Sequence, residues 1–199
     1  MQEREAALIA SAQGGDADSF NRLIELYQGL VYNTAYRILG EREAAEDATQ
    51  EAFLSAFQNI ARFRGGSFKA WLLRIVTNAC YDQLRRKQRR PTASLEALLV
   101  EGGDLFAFTD RTESPEEYTD HRELGRAIQA GLATLPADQR ITLVLSDIQG
   151  LSYQEIAQAT GTSLGTVKSR LSRARAAVRD YLLAHEEELL PWRYRLKGE

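Results

Sequence analysis

A single cysteine, Cys80, stands among 199 residues, with two histidines, His121 and His185, and four prolines. One cysteine excludes an internal disulfide, and so few sulfur and imidazole ligands argue against a zinc site built by the chain alone. We expect neither a metal nor a cofactor. No apolar run approaches the roughly 20 residues that a membrane-spanning helix needs. The opening stretch MQEREAALIASAQGGDA has no basic segment followed by an apolar one, so an export signal is not expected. Together these absences describe a soluble protein of a reducing compartment, and a cytoplasmic location is the expectation. Period-two alternation is also missing, which removes the usual signature of strands, and there is no internal repeat.

The chain does have enough apolar residues, 44%, to bury one or two modest cores. At this length two small domains fit better than one large one. The net charge of −3 conceals strong segregation. Residues 64–90 hold eight Lys or Arg against one acid, Asp82, whereas residues 91–120 hold eight acids against one base, Arg111. From Ser163 to Arg179 there are five bases and no acid. Blocks of opposite sign point to separate basic surfaces joined by an acidic connector that avoids nucleic acid or imitates it.

Helical periodicity runs almost throughout. Phe20, Leu23, Ile24, Tyr27, Val31, Ala35 and Ile38 recur at three- and four-residue spacing and stop at Gly40, a C-cap. A second stripe comprises Ala45, Ala48, Ala52, Phe53, Ala56 and Ile60. A third follows the cap Ser67, from Phe68 through Trp71, Leu72, Ile75, Val76 and Ala79 toward Arg86. Three striped helices with short connections predict a compact bundle. Pro91, Gly102, Gly103 and Pro115 then interrupt the pattern, which reads as a linker, and helix resumes near Leu124.

The sharpest motif is LSYQEIAQATGTSLGTVKSRLSRAR, beginning at Leu151. Ser152 and Glu155 have capping-box spacing. Ala157, Gly161 and Val167 sit where a helix-turn-helix needs a small contact, a tight turn and an inward apolar side chain. In the second helix Val167, Leu171, Ala174 and Val178 form the inner stripe. At 100° per residue, Lys168, Ser169, Ser172 and Arg173 point away from it, with Arg170 and Arg175 on the flanks. A solvated surface is the plain alternative for a basic face. The turn context favours a helix that enters a DNA major groove.

Three stretches in this order resemble bacterial sigma factors of the extracytoplasmic-function (ECF) group: AEDATQEAFLSAFQNI (45–60), FRGGSFKAWLLRIVTNACYDQLRRKQRRP (63–91) and LPADQRITLVLSDIQGLSYQEIAQATGTSLGTVKSRLSRARAAV (135–178). The resemblance implies an all-α protein of two small helical domains joined by a flexible acidic linker: sigma region 2 over 1–90, the linker over 91–120, sigma region 4 over 121–185 and a tail over 186–199. It implies a transcription initiation factor that binds core RNA polymerase and reads the −10 and −35 promoter elements, in a stress or envelope response and under an anti-sigma factor.

The family's roles fall on particular residues here. Asp47, Gln50 and Glu51 would meet core polymerase, a role that suits five acids and one Arg between Glu41 and Glu51. Phe53, Ala56 and Phe57 read as core. Phe63, Arg64, Ser67 and Phe68 would take a flipped base of the −10 strand, with Asn78, Arg85 and Arg86 along the strand and duplex. Trp71 belongs to the apolar stripe and so reads as core rather than as a stacking platform. Thr166, Lys168, Ser169, Arg170, Ser172, Arg173 and Arg175 would contact the −35 duplex. The linker, with Leu95, Leu98, Leu99, Leu105, Phe106 and Phe108 among its acids, either threads a polymerase channel or serves as a plain tether. The tail carries Trp192 and Tyr194 and is either a regulator's dock or a disordered end.

Two other readings compete. A stand-alone helix-turn-helix regulator explains residues 124–182 but leaves 45–60 and 63–91 unaccounted for. A nuclease using Glu46, Asp47 and Glu51 fails because those carboxylates spread around a helix with no further ligand cluster.

Overall fold

The computed structural model describes residues 2–89 and 115–185, and every regular element among them is helical. Four helices form the first unit: α1 (Gln2–Gln13), α2 (Ala17–Leu39), α3 (Arg42–Asn59) and α4 (Phe68–Arg89), with a short 3-10 turn at Ile60–Arg62. Four more form the second: α5 (Pro115–Ala133), α6 (Ala137–Leu143), α7 (Tyr153–Thr160) and α8 (Leu164–Ala184), with a π-helical turn at Val144–Ile148. Helix α5 thus takes in the last six residues of the segment read as linker. The rest of that segment and the tail lie outside the described residues, as do the readings placed on them.

The helix ends are set by local chemistry. Gly40 adopts φ 78° and returns its N–H to Tyr36 O, closing α2. Ser67 starts α4, its hydroxyl accepting from Ala70 N at 3.1 Å. Ser152 and Glu155 make both bonds of the capping box, and Gly161 at φ 64° closes α7. The predicted stripes supply most of this core: Val31, Ala35 and Ile38 on α2, Ala45, Ala48, Ala52 and Ala56 on α3, Leu72 and Val76 on α4, where Leu73, outside the predicted stripe, is buried as well. Alanines all along the inner face of α3 let it pack close to α2 and α4. Helix α1 was not anticipated. It buries only Leu8 and Ala12, too narrow a stripe to register as periodic.

The two units are packed directly on one another. The C-terminal end of α2 leaves carbonyls that its own helix cannot satisfy, and the second unit supplies a donor: Arg140 Nη1 donates to Ile38 O at 2.8 Å. Gln129 Nε2 also reaches Tyr36 O at 3.5 Å, a carbonyl that already accepts from Gly40 N. In return, Arg37 Nη1 donates to Gly125 O at 3.2 Å. On α4, Lys69 Nζ donates to Gln149 O at 2.7 Å and the Tyr81 hydroxyl to Asp138 Oδ1 at 3.1 Å. Burial pushes the Arg37 and Arg140 pKa values down, yet a guanidinium keeps its charge in proteins. Cations at a helix C-terminus are favourably placed.

Candidate nucleic-acid interface

The basic face of α8 begins with its cap. Ser163 Oγ accepts from Thr166 N at 3.1 Å and pairs with the Thr166 hydroxyl at 2.9 Å. Thr166 is therefore half-buried and occupied in starting the helix. Val167, Leu171 and Ala174 are buried, which turns Lys168, Ser169, Ser172 and Arg173 outward. Lys168 and Arg173 form no ion pair among the described residues. Two cations flanking two small hydroxyls make a surface that can approach base edges closely while holding phosphates.

The two flanking arginines behave differently from the expectation. Arg170 is turned inward, its side chain 19% exposed, and pairs with Asp138, the carboxylate that also accepts from Tyr81. In this arrangement it braces α8 against α6 and α4 and would have to leave Asp138 to reach DNA. Burial, with Asp138 adding to it, pushes the Tyr81 hydroxyl up to about 12, so it remains a donor. Arg175 forks onto Asp147, Nε to Oδ2 at 2.9 Å and Nη2 to Oδ1 at 2.7 Å. That fork holds the Asp147 carboxyl below its ordinary pKa and raises that of the guanidinium. It ties α8 to the π-helical turn, and Arg175 would have to leave Asp147 to reach a phosphate with its full fork.

In the first unit, residues 64–67 form a short exposed loop above an aromatic floor. Gly65 and Gly66 take φ 90° and 85°, a region that side chains rarely enter. The Phe63 ring stands perpendicular to Phe68 with centroids 5.5 Å apart and lies 5.4 Å from Trp71. Phe68 is 3% exposed and also meets Tyr27. It therefore supports the loop from below, and its buried ring is not presented for stacking in this arrangement. Trp71 packs on the core, as its place in the stripe implied. Ser67 is engaged as the cap of α4, leaving Arg64 and the two glycines as the exposed tip.

Farther along α4, Asn78 and Arg85 are exposed, Arg85 lying 3.5 Å from Asp82. Arg86 Nη1 donates to Glu51 Oε1 at 2.9 Å, so a residue assigned to DNA and one assigned to polymerase hold each other. On α3, Asp47 and Gln50 are exposed. Leu54, on the same helical stripe, is 60% exposed, and Phe57 is 48% exposed with its edge on Phe20. Sequence reasoning missed Leu54 and gave Phe57 to the core. The signal for Leu54 was its spacing of three and four from Glu51 and Gln50.

Known proteins share both units. The family model for sigma-70 region 2 matches residues 23–90, and that for sigma-70 region 4 matches residues 125–178. The ECF RNA polymerase sigma factor SigE of Mycolicibacterium smegmatis is 41% identical over 183 residues, covering 92% of this chain and 69% of that protein. The chain belongs to the ECF sigma factors. The ECF sigma-E factor of Escherichia coli K12 is 34% identical over 179 residues, covering 89% of this chain and 93% of its own. Among solved structures, CnrH in complex with the cytosolic domain of CnrY superposes with TM-score 0.63 at 26% identity, covering 91% of this chain and 98% of that one. RpoE of Bartonella quintana, bound to the anti-sigma factor NepR, gives 0.62 at 27% identity, with 82% and 96% covered. This ECF sigma factor directs core RNA polymerase to promoters, and no helix among its described residues is long and apolar enough to cross a membrane.

Proposed function

We propose that the two units divide the promoter between them. The loop tip at Arg64, Gly65 and Gly66, with Phe63 beneath it, takes the flipped −10 base, and Asn78 and Arg85 follow the strand. Lys168, Ser169, Ser172 and Arg173 read the −35 duplex. Asp47, Gln50 and Leu54 form the contact with core polymerase, and Glu51 serves that face while orienting Arg86. The observation that carries the reading is the α8 face: cations with no ion-pair partner among the described residues, flanking two serines on a helix fixed by a capped turn. The chain supplies no catalytic group, since phosphodiester bond formation belongs to the polymerase, and it works in the cytoplasm in a stress or envelope response. Of the three carboxylates of the nuclease reading, Glu51 is held by Arg86 and Glu46 lies 3.7 Å from Arg42, while Asp47 is exposed.

The packed arrangement has a consequence. The −10 and −35 elements lie about 25 base pairs apart, roughly 85 Å of duplex at 3.4 Å per pair, whereas the two units touch. The chain must open to read both. A partner that favours the packed form would silence it, and an anti-sigma factor fits that role, in line with the RpoE relative, which is bound to the anti-sigma factor NepR. The test is reconstitution with core polymerase, followed by mapping of transcription starts that depend on this chain. Failure to bind core, or starts without shared −10 and −35 elements, would leave the stand-alone regulator as the better reading.

A further inference from the structure

We propose that Gln13, at the end of α1 and outside the region-2 match, is a positioning residue for the −10 loop. The inference rests on the reading of residues 63–68 given above. Gln13 Nε2 donates to Phe63 O at 2.8 Å and to Ile60 O at 3.2 Å, across 50 and 47 residues of sequence. Both acceptors are carbonyls, so only the NH2 end of the amide can face them, and its two hydrogens serve one carbonyl each. Ile60 O also accepts from Phe63 N at 3.0 Å, closing the 3-10 turn. The Gln13 amide thereby fixes the turn and the first loop residue together.

The other end of the loop is fixed by Ser67, which caps α4. Between these two anchors only Arg64, Gly65 and Gly66 remain, and the glycines are the most permissive residues a chain offers. Their backbone would wander unless the ends were held, and a flipped base needs a preformed pocket to offset its unstacking cost. Gln13 is itself placed by a tight corner. Leu8 and Ala12 bury α1 against α2, and Gly14 N, Gly15 N and Asp16 N donate back to Ala10, Ala12 and Ser11 carbonyls before α2 begins. Helix α1 thus acts as a strut whose tip sets the loop.

The experiment uses holoenzyme on a promoter taken from a start that depends on this chain, with single-base −10 and −35 variants, reading strand opening by permanganate reactivity of unpaired thymines. Gln13→Ala should lower opening roughly five- to a hundredfold, the scale of two neutral hydrogen bonds, and shrink the ratio between the parental and −10-substituted promoters by a similar factor. Gln13→Glu, isosteric but without donors, should do at least as much. Core affinity, helicity and the −35 ratios should stay at wild-type values. Arg64→Ala runs in parallel. If it alters −10 discrimination while neither Gln13 variant does, Gln13 is only structural and the inference is overturned. Should the Gln13 variants disturb −35 ratios or core affinity equally, a general loosening explains them and the inference also fails. If Arg64→Ala leaves −10 discrimination intact, the loop reading itself fails and the inference falls with it.

Discussion

Replacing Arg37 by methionine tests whether the chain holds its own units together. The Arg37 guanidinium donates to Gly125 O at 3.2 Å, from the last turn of α2 to the middle of α5. Methionine preserves much of the apolar stem packing and removes only the charged head. A hydrogen bond from a charged group contributes about 1.5–3 kcal/mol net. The lower end applies here, because Gly125 O lies within a helix and keeps its i+4 partner, and because burying the guanidinium already costs solvation. A loss of about 1.5 kcal/mol lowers the ratio of packed to open chains roughly tenfold. Fluorescence energy transfer between dyes on cysteines introduced at exposed Gln28 and Ala177 reads that ratio. Cys80 will not compete for dye, since burial removes it from solvent and pushes its thiol up to about 12. The variant should shift toward long distances with unchanged helicity. A wild-type distance distribution would refute the assignment of Arg37 as a clasp.

Other outcomes follow from single contacts. Asp47→Lys combined with Leu54→Ala should abolish core polymerase binding while costing less than about 0.5 kcal/mol of stability, because both side chains are exposed; Glu51 is a poorer target, since changing it also frees Arg86. Ser152→Ala removes the hydroxyl that accepts from Glu155 N, leaving only the backbone N–H to Glu155 half of the capping box, and should cost region 4 about 1 kcal/mol, measured by thermal unfolding. Asp147→Asn breaks the fork to Arg175 in a partly exposed pair, so the loss at neutral pH should be about 0.5 kcal/mol after solvent screening. The folded Asp147 pKa is depressed, so its stabilisation is present above the unfolded pKa near 4 and is lost as pH falls through the folded value. Acid unfolding of the variant should accordingly show a weaker pH slope below about pH 4, and an unchanged slope would contradict the pairing.

The parts of the fold that were legible in the sequence are those written in local chemistry. Gly40, Ser67, Ser152 with Glu155, and Gly161 mark helix ends within a few residues of themselves, and the structure uses each as a cap. The outward face of α8 was legible because the period of 3.6 residues leaves little choice once Val167 and Leu171 are inside. What escaped depends on partners distant in sequence. Arg170 reads as a flank cation until Asp138, 32 residues away, takes it inward. Phe68 reads both as the start of the α4 stripe and as a base contact until Tyr27 and Trp71 enclose it. Charge and periodicity cannot report such pairings, nor the use of α2's terminal carbonyls by Arg140 and Gln129.

The most direct test of the divided promoter is holoenzyme affinity across a full panel of single-base −35 and −10 variants, compared between wild type, Arg173→Ala and Arg64→Ala. Arg173→Ala should lose about 1–3 kcal/mol of discrimination at one −35 position and leave the −10 pattern intact. Arg64→Ala should flatten the −10 pattern and leave −35 intact. If both variants instead weaken every promoter by the same factor, these residues hold phosphates without reading sequence, and the division of labour between the two units is wrong.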